Sequence, residues 1–301
     1  SDWSLNDEIS LLSGIRIDKH SLLENIVASP RLSLLYNLRA NSQIRISYSS
    51  GFRAPQAFDT DLHIAFAGGG ISRISLADDL REEISSSFSG SYNYDFARER
   101  YVYGITLEGF YTYLDKAFYQ DLNGSDEFGD LYVKRNGSGA LVKGLSFEIR
   151  GNYNKIIQLE TGYTLQSSKY DSPVVYSDEL APKDDFLRTP SFYGYSTLSL
   201  NFNKKLDISL NHIYTGQMDL IHMGGAINQA FDEYVTSKVF NQYDFNVNYK
   251  QFFNNFGVGV KYSVGIKNIT NSYQNDFDIM KDRDSNFCLL YTSPSPRDPT
   301  S

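Results

Sequence analysis

The chain has 301 residues, of which 41% are hydrophobic, a size and composition that allow one large domain or two ordinary ones. Its formal net charge is −8, and no segment gathers Lys and Arg into a stripe that could follow a phosphate backbone, so we predict no nucleic-acid binding. No apolar run reaches the roughly 18 residues that a membrane-spanning helix needs. The chain is therefore either soluble or crosses a membrane with strands.

The residue types favour strands and offer no catalytic set. Aromatic residues make up 15% of the chain and stand in short runs beside Ser, Asn and Gly, a mixture typical of strands. The only cysteine is Cys288, so there is no disulfide framework, CxxC zinc site or thiol nucleophile before it. No Ser-His-Asp set has a distinguishing spacing, and we predict that the chain is not an enzyme and holds no cofactor.

Apolar and polar residues alternate in many segments, which places successive side chains on opposite faces of a sheet. In the segment 145–154, one face carries Leu145, Phe147, Ile149, Gly151 and Tyr153, and the other carries Ser146, Glu148, Arg150, Asn152 and Asn154. This pattern predicts about eleven strands. In chain order they are residues 4–17, 30–40, 43–52, 81–95, 102–117, 139–154, 157–169, 188–203, 206–216, 238–252 and 256–270.

Strand length and connection length together favour a membrane barrel. Most of the predicted strands exceed the usual 5 or 6 residues and reach the roughly 9 to 11 that a tilted strand needs to cross a bilayer. The connections alternate between long and short, as in outer-membrane barrels with short periplasmic turns and long outer loops. The long ones are residues 18–29, 53–80, 118–138, 170–187 and 217–237. We therefore predict an all-β fold, an antiparallel up-and-down transmembrane β-barrel that is present as a partial barrel.

A soluble β-sandwich with a polar outside has the same alternation and is the main alternative. Against it stand the strand lengths, the regular loop parity, and the Tyr and Phe residues near strand ends, where a membrane aromatic girdle lies. In a barrel, Glu108, Glu148, Arg150 and Glu160 would face a polar interior, because on a lipid face each charge would cost about 2 to 4 kcal/mol.

Four stretches carry a resemblance to a known family. They are GFRAPQAFDTDLH at residues 51–63, GALVKGLSFE at 139–148, RTPSFYGY at 188–195 and GIKNITNSYQNDFDIMKDRDS at 265–285. Each resembles a stretch of the TonB-dependent outer-membrane receptors of the Bacteroidetes type, although Ser146 stands where that family usually has an acidic residue. The resemblance implies a barrel of about 22 strands that is plugged by an N-terminal domain.

The resemblance also implies a domain assignment. Residues 1–286 would be the C-terminal half of the receptor barrel. Residues 287–301, FCLLYTSPSPRDPTS, depart from the family pattern and contain three closely spaced prolines, which a central strand does not accommodate. We predict that this tail is not native, with a natural disordered tail as the alternative.

The function implied is energy-coupled uptake of a scarce ligand across the outer membrane of a Gram-negative cell. The expected partners are outer-membrane lipid, the missing plug domain, and the TonB-ExbB-ExbD complex, which would act through a missing TonB box. The cargo stays open among siderophore, vitamin, haem, metal and glycan. A passive porin-like channel and a soluble β-rich binding module are the alternatives.

Two predicted outer loops hold candidate ligand-contact residues. In one, Asp59, Asp61 and His63 offer carboxylate and imidazole groups, although loop carboxylates mostly face water. In the other, GQMDLIHMGG at residues 216–225 groups a histidine with two methionines, which are possible ligands for haem iron or copper. Isolated His and Met more often serve packing, and we predict no metal centre. The candidates in this second loop are Met218, His222 and Met223.

Overall fold

The computed structural model describes residues 1–21, 23, 25–55, 73–126, 129–177, 179–202, 205–222, 230–253 and 256–274. Every regular element within these ranges is a β-strand. In chain order they are β1 (Asp2–Ser4), β2 (Ile9–Asp18), β3 (Val27–Arg39), β4 (Ser42–Arg53), β5 (Arg73–Leu76), β6 (Glu83–Ala97), β7 (Tyr101–Asp115), β8 (Phe118–Asp126), β9 (Gly129–Asn136), β10 (Ala140–Tyr153), β11 (Ile157–Val174), β12 (Lys183–Asp185), β13 (Phe192–Asn201), β14 (Leu206–Thr215), β15 (Asp219–His222), β16 (Glu233–Thr236), β17 (Phe240–Phe253) and β18 (Val258–Ile266). Among the described residues, no helix is long and apolar enough to cross a membrane.

One large sheet contains all the long wall strands, and every neighbouring pair in it is antiparallel. Its order is β1-β2-β3-β4-β6-β7-β10-β11-β13-β14-β17-β18, with β12 attached to β11. Each long strand therefore pairs with the next long strand along the chain, as in an up-and-down meander. The long strands correspond one to one to the eleven predicted strands, which confirms the predicted fold class.

The connections divide the sheet into two ends. At one end, named the turn end, strands join within a few residues, as between Tyr153 and Ile157. Asn154 and Lys155 have φ of 57° and 59° there, the left-handed conformation that tight hairpin turns require to match strand twist. At the other end, named the loop end, the connections are long and contain β5, β8, β9, β12, β15 and β16. The predicted alternation of long and short connections is thus confirmed.

The pairing register shows that the strands are tilted relative to the two ends. A row of directly opposed residues runs from Asn37 in β3 through Thr106 and Glu148 to Gln242 in β17. Asn37 lies two residues before the turn end of β3 at Arg39, whereas Gln242 lies eleven before the turn end of β17 at Phe253. The register therefore drifts by nine residues over eight strand-to-strand steps, the kind of stagger that closing a tilted barrel requires.

The large sheet has two chemically different faces. The apolar face is the one that carries Leu107 and Leu145, whose side chains are 51% and 57% exposed. The polar face carries the intervening residues, mainly Ser, Thr, Asn, Gln and charged groups. Hydrophobic side chains are buried mostly away from the sheet centre, in the loops or near the loop ends of strands: Leu23, Val27, Ala54, Ala117, Phe118, Ala140, Met218, Leu220 and Phe240.

The structure departs from the sequence prediction at both edges of the sheet. The segment predicted as one strand at residues 4–17 is divided, because the Asn6 side chain accepts hydrogen bonds from the backbone N–H groups of Glu8 and Ile9 and makes a turn between β1 and β2. The predicted last strand, 256–270, ends at Ile266. Asn268, with φ of 51°, follows it and bonds through its side chain to the Ser272 backbone, which turns the chain away.

The close spacing of β11 and β13 gives a test of the pairing. A Cβ atom at Gly194 would lie 2.3 Å from the Gly162 carbonyl oxygen and 2.4 Å from a ring carbon of Tyr163, whereas at Gly151 it would meet nothing within 4 Å. We expect Gly194→Ala to destabilise the full-length protein by about 1 to 3 kcal/mol, the usual cost of overpacking. Gly151→Ala, on the same face, is the control and should cost well under that. Urea titration of the detergent-solubilised protein measures both, and equal costs would contradict the register.

Candidate functional site

Charged side chains on the polar face are segregated along the sheet. Glu108, Glu148 and Glu160 lie on β7, β10 and β11, whereas the polar faces of β3 and β4 carry Arg31 and Arg45. Within the acidic group, Arg150 on β10 forms ion pairs with Glu148 at 3.0 Å and with Asp95 at 3.4 Å. The wall therefore presents an acidic region and a basic region on one surface.

Hydroxyl and amide groups on the polar face pair across neighbouring strands. Oxygen atoms of Ser33 and Ser47 lie 2.8 Å apart, as do those of Ser146 and Thr164. The Tyr195 hydroxyl donates to Glu160 at 3.1 Å. Of these groups only Ser33 is buried, so this face stays able to bind water, a solute or another polar surface.

Two of the concavities on this face differ in charge. The larger, of about 650 Å³, is bordered by Glu108, Glu148, Tyr193 and Tyr195 and has no Lys or Arg in its lining. The smaller, of about 560 Å³, lies over β3, β4, β6 and β7 and is bordered by Arg31, Arg45, Glu108 and several serines. The first is acidic and aromatic, whereas the second is basic and rich in hydroxyl groups.

The connections at the loop end form an ordered layer. β5 pairs in parallel with β9, and β9 pairs with β8, in a separate three-stranded sheet. This sheet is held to the wall by Glu83, whose carboxylate accepts from the Phe118 backbone N–H at 2.9 Å and pairs with Arg53. Lys134, only 1% exposed, and Arg53 both lie over the Phe118 ring, at 5.1 and 4.8 Å from its centroid. Burial of a lysine against an aromatic ring keeps this corner tightly packed.

A second group of contacts joins the β12 segment to the β15–β16 hairpin. Lys183 forms an ion pair with Asp219 and lies 5.1 Å from the centroid of the Tyr234 ring. The Tyr234 hydroxyl donates to the Ala181 carbonyl oxygen at 2.9 Å, and the Asp232 backbone N–H donates to Glu179 at 2.8 Å. An ion pair and hydrogen bonds thus join adjacent long connections to one another, in addition to the strands that each connection links.

Two ionisable groups in this layer have perturbed pKa values with clear causes. Burial is the main cause that raises the pKa of the Tyr176 hydroxyl well above its ordinary value, so the group is neutral at physiological pH. The hydrogen bond that Asp184 accepts from Lys169, at 3.1 Å, lowers the pKa of the Asp184 carboxyl. These groups stabilise the layer and have no arrangement that would support catalysis.

The sequence-predicted site residues are only partly described. Met218 and His222 lie at the β15 edge with side chains 3% and 9% exposed, beside the fully buried Leu220. Met223, Asp59, Asp61 and His63 lie outside the described residues. Within the described ranges, no group of three or more His, Cys, Asp or Glu side chains is placed to hold a metal ion. The ligand-contact role of all six residues stays a prediction.

Two features of the site escaped sequence reasoning. The contacts that join loop segments to one another are made by residues far apart in the chain, such as Lys183 with Asp219 and Arg81 with Asn136. No local sequence pattern indicates them. The basic region was visible in principle, because Arg31 and Arg45 occupy polar-face positions of strands whose alternation was recognised.

A tilted, antiparallel, up-and-down sheet with one polar and one exposed apolar face is the wall of a large β-barrel. A family model described as TonB dependent receptor-like, beta-barrel, matches residues 1–271. The chain therefore belongs to the TonB-dependent receptor β-barrel family. The family members are receptors and transporters, which confirms the prediction that the chain is not part of an enzyme. No curated protein matches the chain.

Solved structures of similar fold are described as siderophore receptors or iron transporters, and their sequence identity to this chain is low. The siderophore receptor PirA from Acinetobacter baumannii has a TM-score of 0.64 at 15% identity and is matched over 89% of this chain and 40% of its own. The FrpB iron transporter from Neisseria meningitidis gives 0.62 at 15%, over 91% and 40%. The ferripyoverdine receptor of Pseudomonas aeruginosa gives 0.63 at 16%, over 91% and 34%. The chain thus spans well under half the length of these receptors.

The lowered pKa of Asp184 predicts an acid-sensitive attachment of β12. Because the pKa is lower in the folded state, the contact with Lys169 stabilises this segment above the ordinary carboxyl pKa of about 4 and is lost as pH falls through the lowered value. We expect amide hydrogen exchange at residues 183–185, corrected for intrinsic rates, to accelerate as the pH falls below about 4. Lys169→Met should remove this pH dependence, and an unchanged dependence in that variant would rule out the ion pair as its cause.

Proposed function

We propose that the chain forms the C-terminal half of the barrel wall, with its outer loops, in a TonB-dependent receptor of the Bacteroidetes type. The receptor imports a scarce ligand across the outer membrane of a Gram-negative cell. The observation that carries the proposal is the two-faced wall: large apolar side chains are exposed along one side of a tilted sheet whose other side is hydrophilic. Exposure of an apolar surface of this extent to water is unfavourable, whereas in a bilayer lipid chains cover it.

The proposed partners are assigned from the chemistry of the two faces of the sheet. Outer-membrane lipid covers the apolar face, and an N-terminal plug domain lies against the polar face. TonB-ExbB-ExbD, acting through a TonB box outside this chain, supplies the energy that displaces the plug. The 40% share of the PirA receptor that the chain matches supports the assignment of residues 1–286 to about half of a barrel. The proposal that residues 287–301 are a non-native tail rests on their three closely spaced prolines alone.

The loop layer is the proposed outer face, where ligand is captured. Hydrogen bonds and ion pairs join its long connections to one another. We expect this to keep the ligand-contact groups in place before the ligand binds. Asp59, Asp61, His63, Met218, His222 and Met223 stay the proposed contact residues. The FrpB protein is an iron transporter and the Pseudomonas aeruginosa receptor binds ferripyoverdine, which supports iron or an iron-loaded siderophore as the cargo among siderophore, vitamin, haem, metal and glycan.

Replacement of Met218 by Leu separates packing from ligand contact. Met218 is 3% exposed, and a volume-conserving exchange of this kind usually costs under about 1.5 kcal/mol. If Met218 only packs, Met218→Leu leaves both stability and ligand capture nearly unchanged. If its sulfur contacts cargo, the variant loses uptake at unchanged stability. Uptake of iron-loaded siderophores by cells expressing the full-length receptor measures ligand capture, and urea titration of the purified protein measures stability.

The function itself is tested by conductance and energy dependence. In planar bilayers we expect the purified full-length receptor to be closed, because a plug fills the lumen, and we expect uptake of iron-55 siderophores by cells to stop when TonB is deleted. Steady open conductance with TonB-independent uptake would indicate the passive porin. Purification of a stable, unaggregated protein without detergent would indicate the soluble binding module.

A charge placed on each face tests the assignment of the faces. Leu107 lies on the apolar face, seventh of the fifteen residues of β7, and Thr106 beside it lies on the polar face. We expect Leu107→Arg to destabilise the bilayer-inserted receptor by about 2 to 4 kcal/mol, the cost of a cation near the midplane of a barrel's lipid face. Thr106→Arg, the matched control, should cost much less. Similar costs at both positions, measured by guanidinium titration in liposomes, would contradict a lipid-facing apolar side.

A further inference from the structure

Two arginines on the polar face lack the partner that several other cations of that face have. Arg16, Arg150 and Lys250 each lie within 3.0 Å of a carboxylate oxygen of the wall. Arg31 on β3 and Arg45 on β4 are exposed and form no ion pair with any residue that the structure describes. A counter-charge for these two guanidinium groups must therefore come from outside the described residues.

Both arginines border the smaller concavity, of about 560 Å³, at positions that the strand register fixes. Arg31 is directly opposite Ser49 on β4, and Arg45, four residues before Ser49, is directly opposite Ser91 on β6. Four residues of strand span about 13 Å. One short segment of a neighbouring polypeptide can therefore contact both guanidinium groups.

This recess has more cations than carboxylates. Glu108 on β7 is the carboxylate in its lining, and it also lines the larger concavity. It lies opposite Ser91, two strands away from Arg45, and forms no ion pair with the described residues. One shared carboxylate at that distance leaves the two arginines with a positive balance.

A plug that fills the lumen would cover this recess and remove its water. Removal of water from an unpaired ion costs several kcal/mol, so buried cations are paired in folded proteins. A guanidinium pairs with a carboxylate through two parallel charge-assisted hydrogen bonds, and a polypeptide supplies that group through Asp or Glu. The part of the plug that covers Arg31 and Arg45 is thus expected to carry acidic side chains.

Serine hydroxyl groups in the recess can add to such a contact. The side-chain oxygens of Ser49 and Ser89 form no hydrogen bond with the described residues, unlike that of Ser47, which pairs with Ser33 at 2.8 Å. An ionised carboxylate has about four lone-pair sites, so it accepts from a guanidinium and from a serine at the same time. The recess therefore offers both charge and additional donors to one carboxylate.

The requirement for acidic side chains is confined to one part of the wall. The larger concavity is lined by Glu108 and Glu148 and has no Lys or Arg in its lining. An acidic plug surface would be repelled there, because like charges that face each other across an interface cost several kcal/mol. Only the side of the plug that faces β3 and β4 is expected to be acidic, which favours one orientation of the plug in the lumen.

We propose that the recess bordered by Arg31, Arg45 and Ser49 is the docking surface for an acidic segment of the plug domain, and that carboxylates of this segment form ion pairs with both arginines. The inference rests on the proposed function for the presence of a plug. It deepens that function by assigning a charge to the plug segment that contacts β3 and β4.

Zero-length cross-linking in the full-length receptor tests this contact directly. A water-soluble carbodiimide joins an amine to a carboxylate only where the two are in contact, and Arg31→Lys and Arg45→Lys supply an amine at each position. We expect mass spectrometry to identify a cross-link from at least one introduced amine to an Asp or Glu of the plug. Lys143, on the apolar face of β10 opposite Tyr111, is the native amine that should form no link to the plug.

The ion pair between Lys250 and Asp207, at 3.0 Å on the same face, is the positive control for the reaction. Absence of a plug cross-link from both variants, in a sample where Lys250 is joined to Asp207, would overturn the docking surface. Cross-links from the introduced amines to Glu108 alone would also overturn it, because the wall itself would then neutralise the recess.

Reversal of the wall charge tests whether the covering segment is acidic. Ser49→Cys, in a Cys288→Ser background, should react slowly with the neutral reagent methyl methanethiosulfonate because the plug covers it. Arg31→Glu with Arg45→Glu should raise this rate about tenfold or more by repelling an acidic segment, and the two Arg→Gln changes should raise it less. Heat-modifiable migration on a gel verifies that each barrel is folded. Fast labelling with both arginines present, or no change on charge reversal, would overturn the inference.

Failure of this inference and failure of the proposed function give different results. If the plug is cross-linked to other parts of the polar face, such as Glu160, but not to the introduced amines, only the docking surface is wrong. If no domain outside the barrel is cross-linked to the polar face and the receptor conducts steadily in planar bilayers, the plug itself is absent and the proposed function is wrong.

Discussion

The constraint on which the structure depends is that each strand of the wall must pair its backbone with a neighbour on both sides, because hydrocarbon offers no substitute hydrogen bonds. From β2 to β17 the large sheet meets this requirement through an unbroken series of antiparallel pairs. Antiparallel pairing of consecutive strands makes short turns at one end and frees the other end for long connections. The register drift of nine residues between β3 and β17 then tilts the strands, as a closed barrel demands.

The same constraint explains why the wall lacks a conventional core. A sheet that separates lipid from an aqueous lumen has no apolar interior of its own, and the hydrophobic side chains buried in the described chain lie instead near the loop end. Stability of the wall must come from backbone pairing and from lipid around residues such as Leu107 and Leu145. The loop layer has its own packing, around Phe118 on one side and Leu220 on the other. Two parts with different sources of stability therefore meet at the loop ends of the strands.

Sequence alone predicted the wall well because period-two alternation over ten or more residues is a repeated local signal. It missed β5, β8, β9, β15 and β16, which lie inside the segments predicted as long loops. No local pattern indicates the parallel contact of β5 with β9, which lies far along the chain. It also placed the end of β11 at residue 169, whereas pairing with β12 carries that strand to Val174. The candidate loop residues were chosen by side-chain chemistry alone, and the burial of Met218 depends on the β15–β16 hairpin, which that chemistry does not reveal.

The central claim is that one side of this wall faces lipid and the other faces water. Spin labels placed singly at residues 145–152 of β10, in the full-length receptor in liposomes, test it most directly. The account predicts that collision with oxygen and collision with a water-soluble nickel chelate both vary with period two and are out of phase, with oxygen favoured at odd positions such as Leu145 and nickel at even ones such as Ser146. Equal access of the nickel chelate to both sets of positions would show water on both faces and would contradict the account.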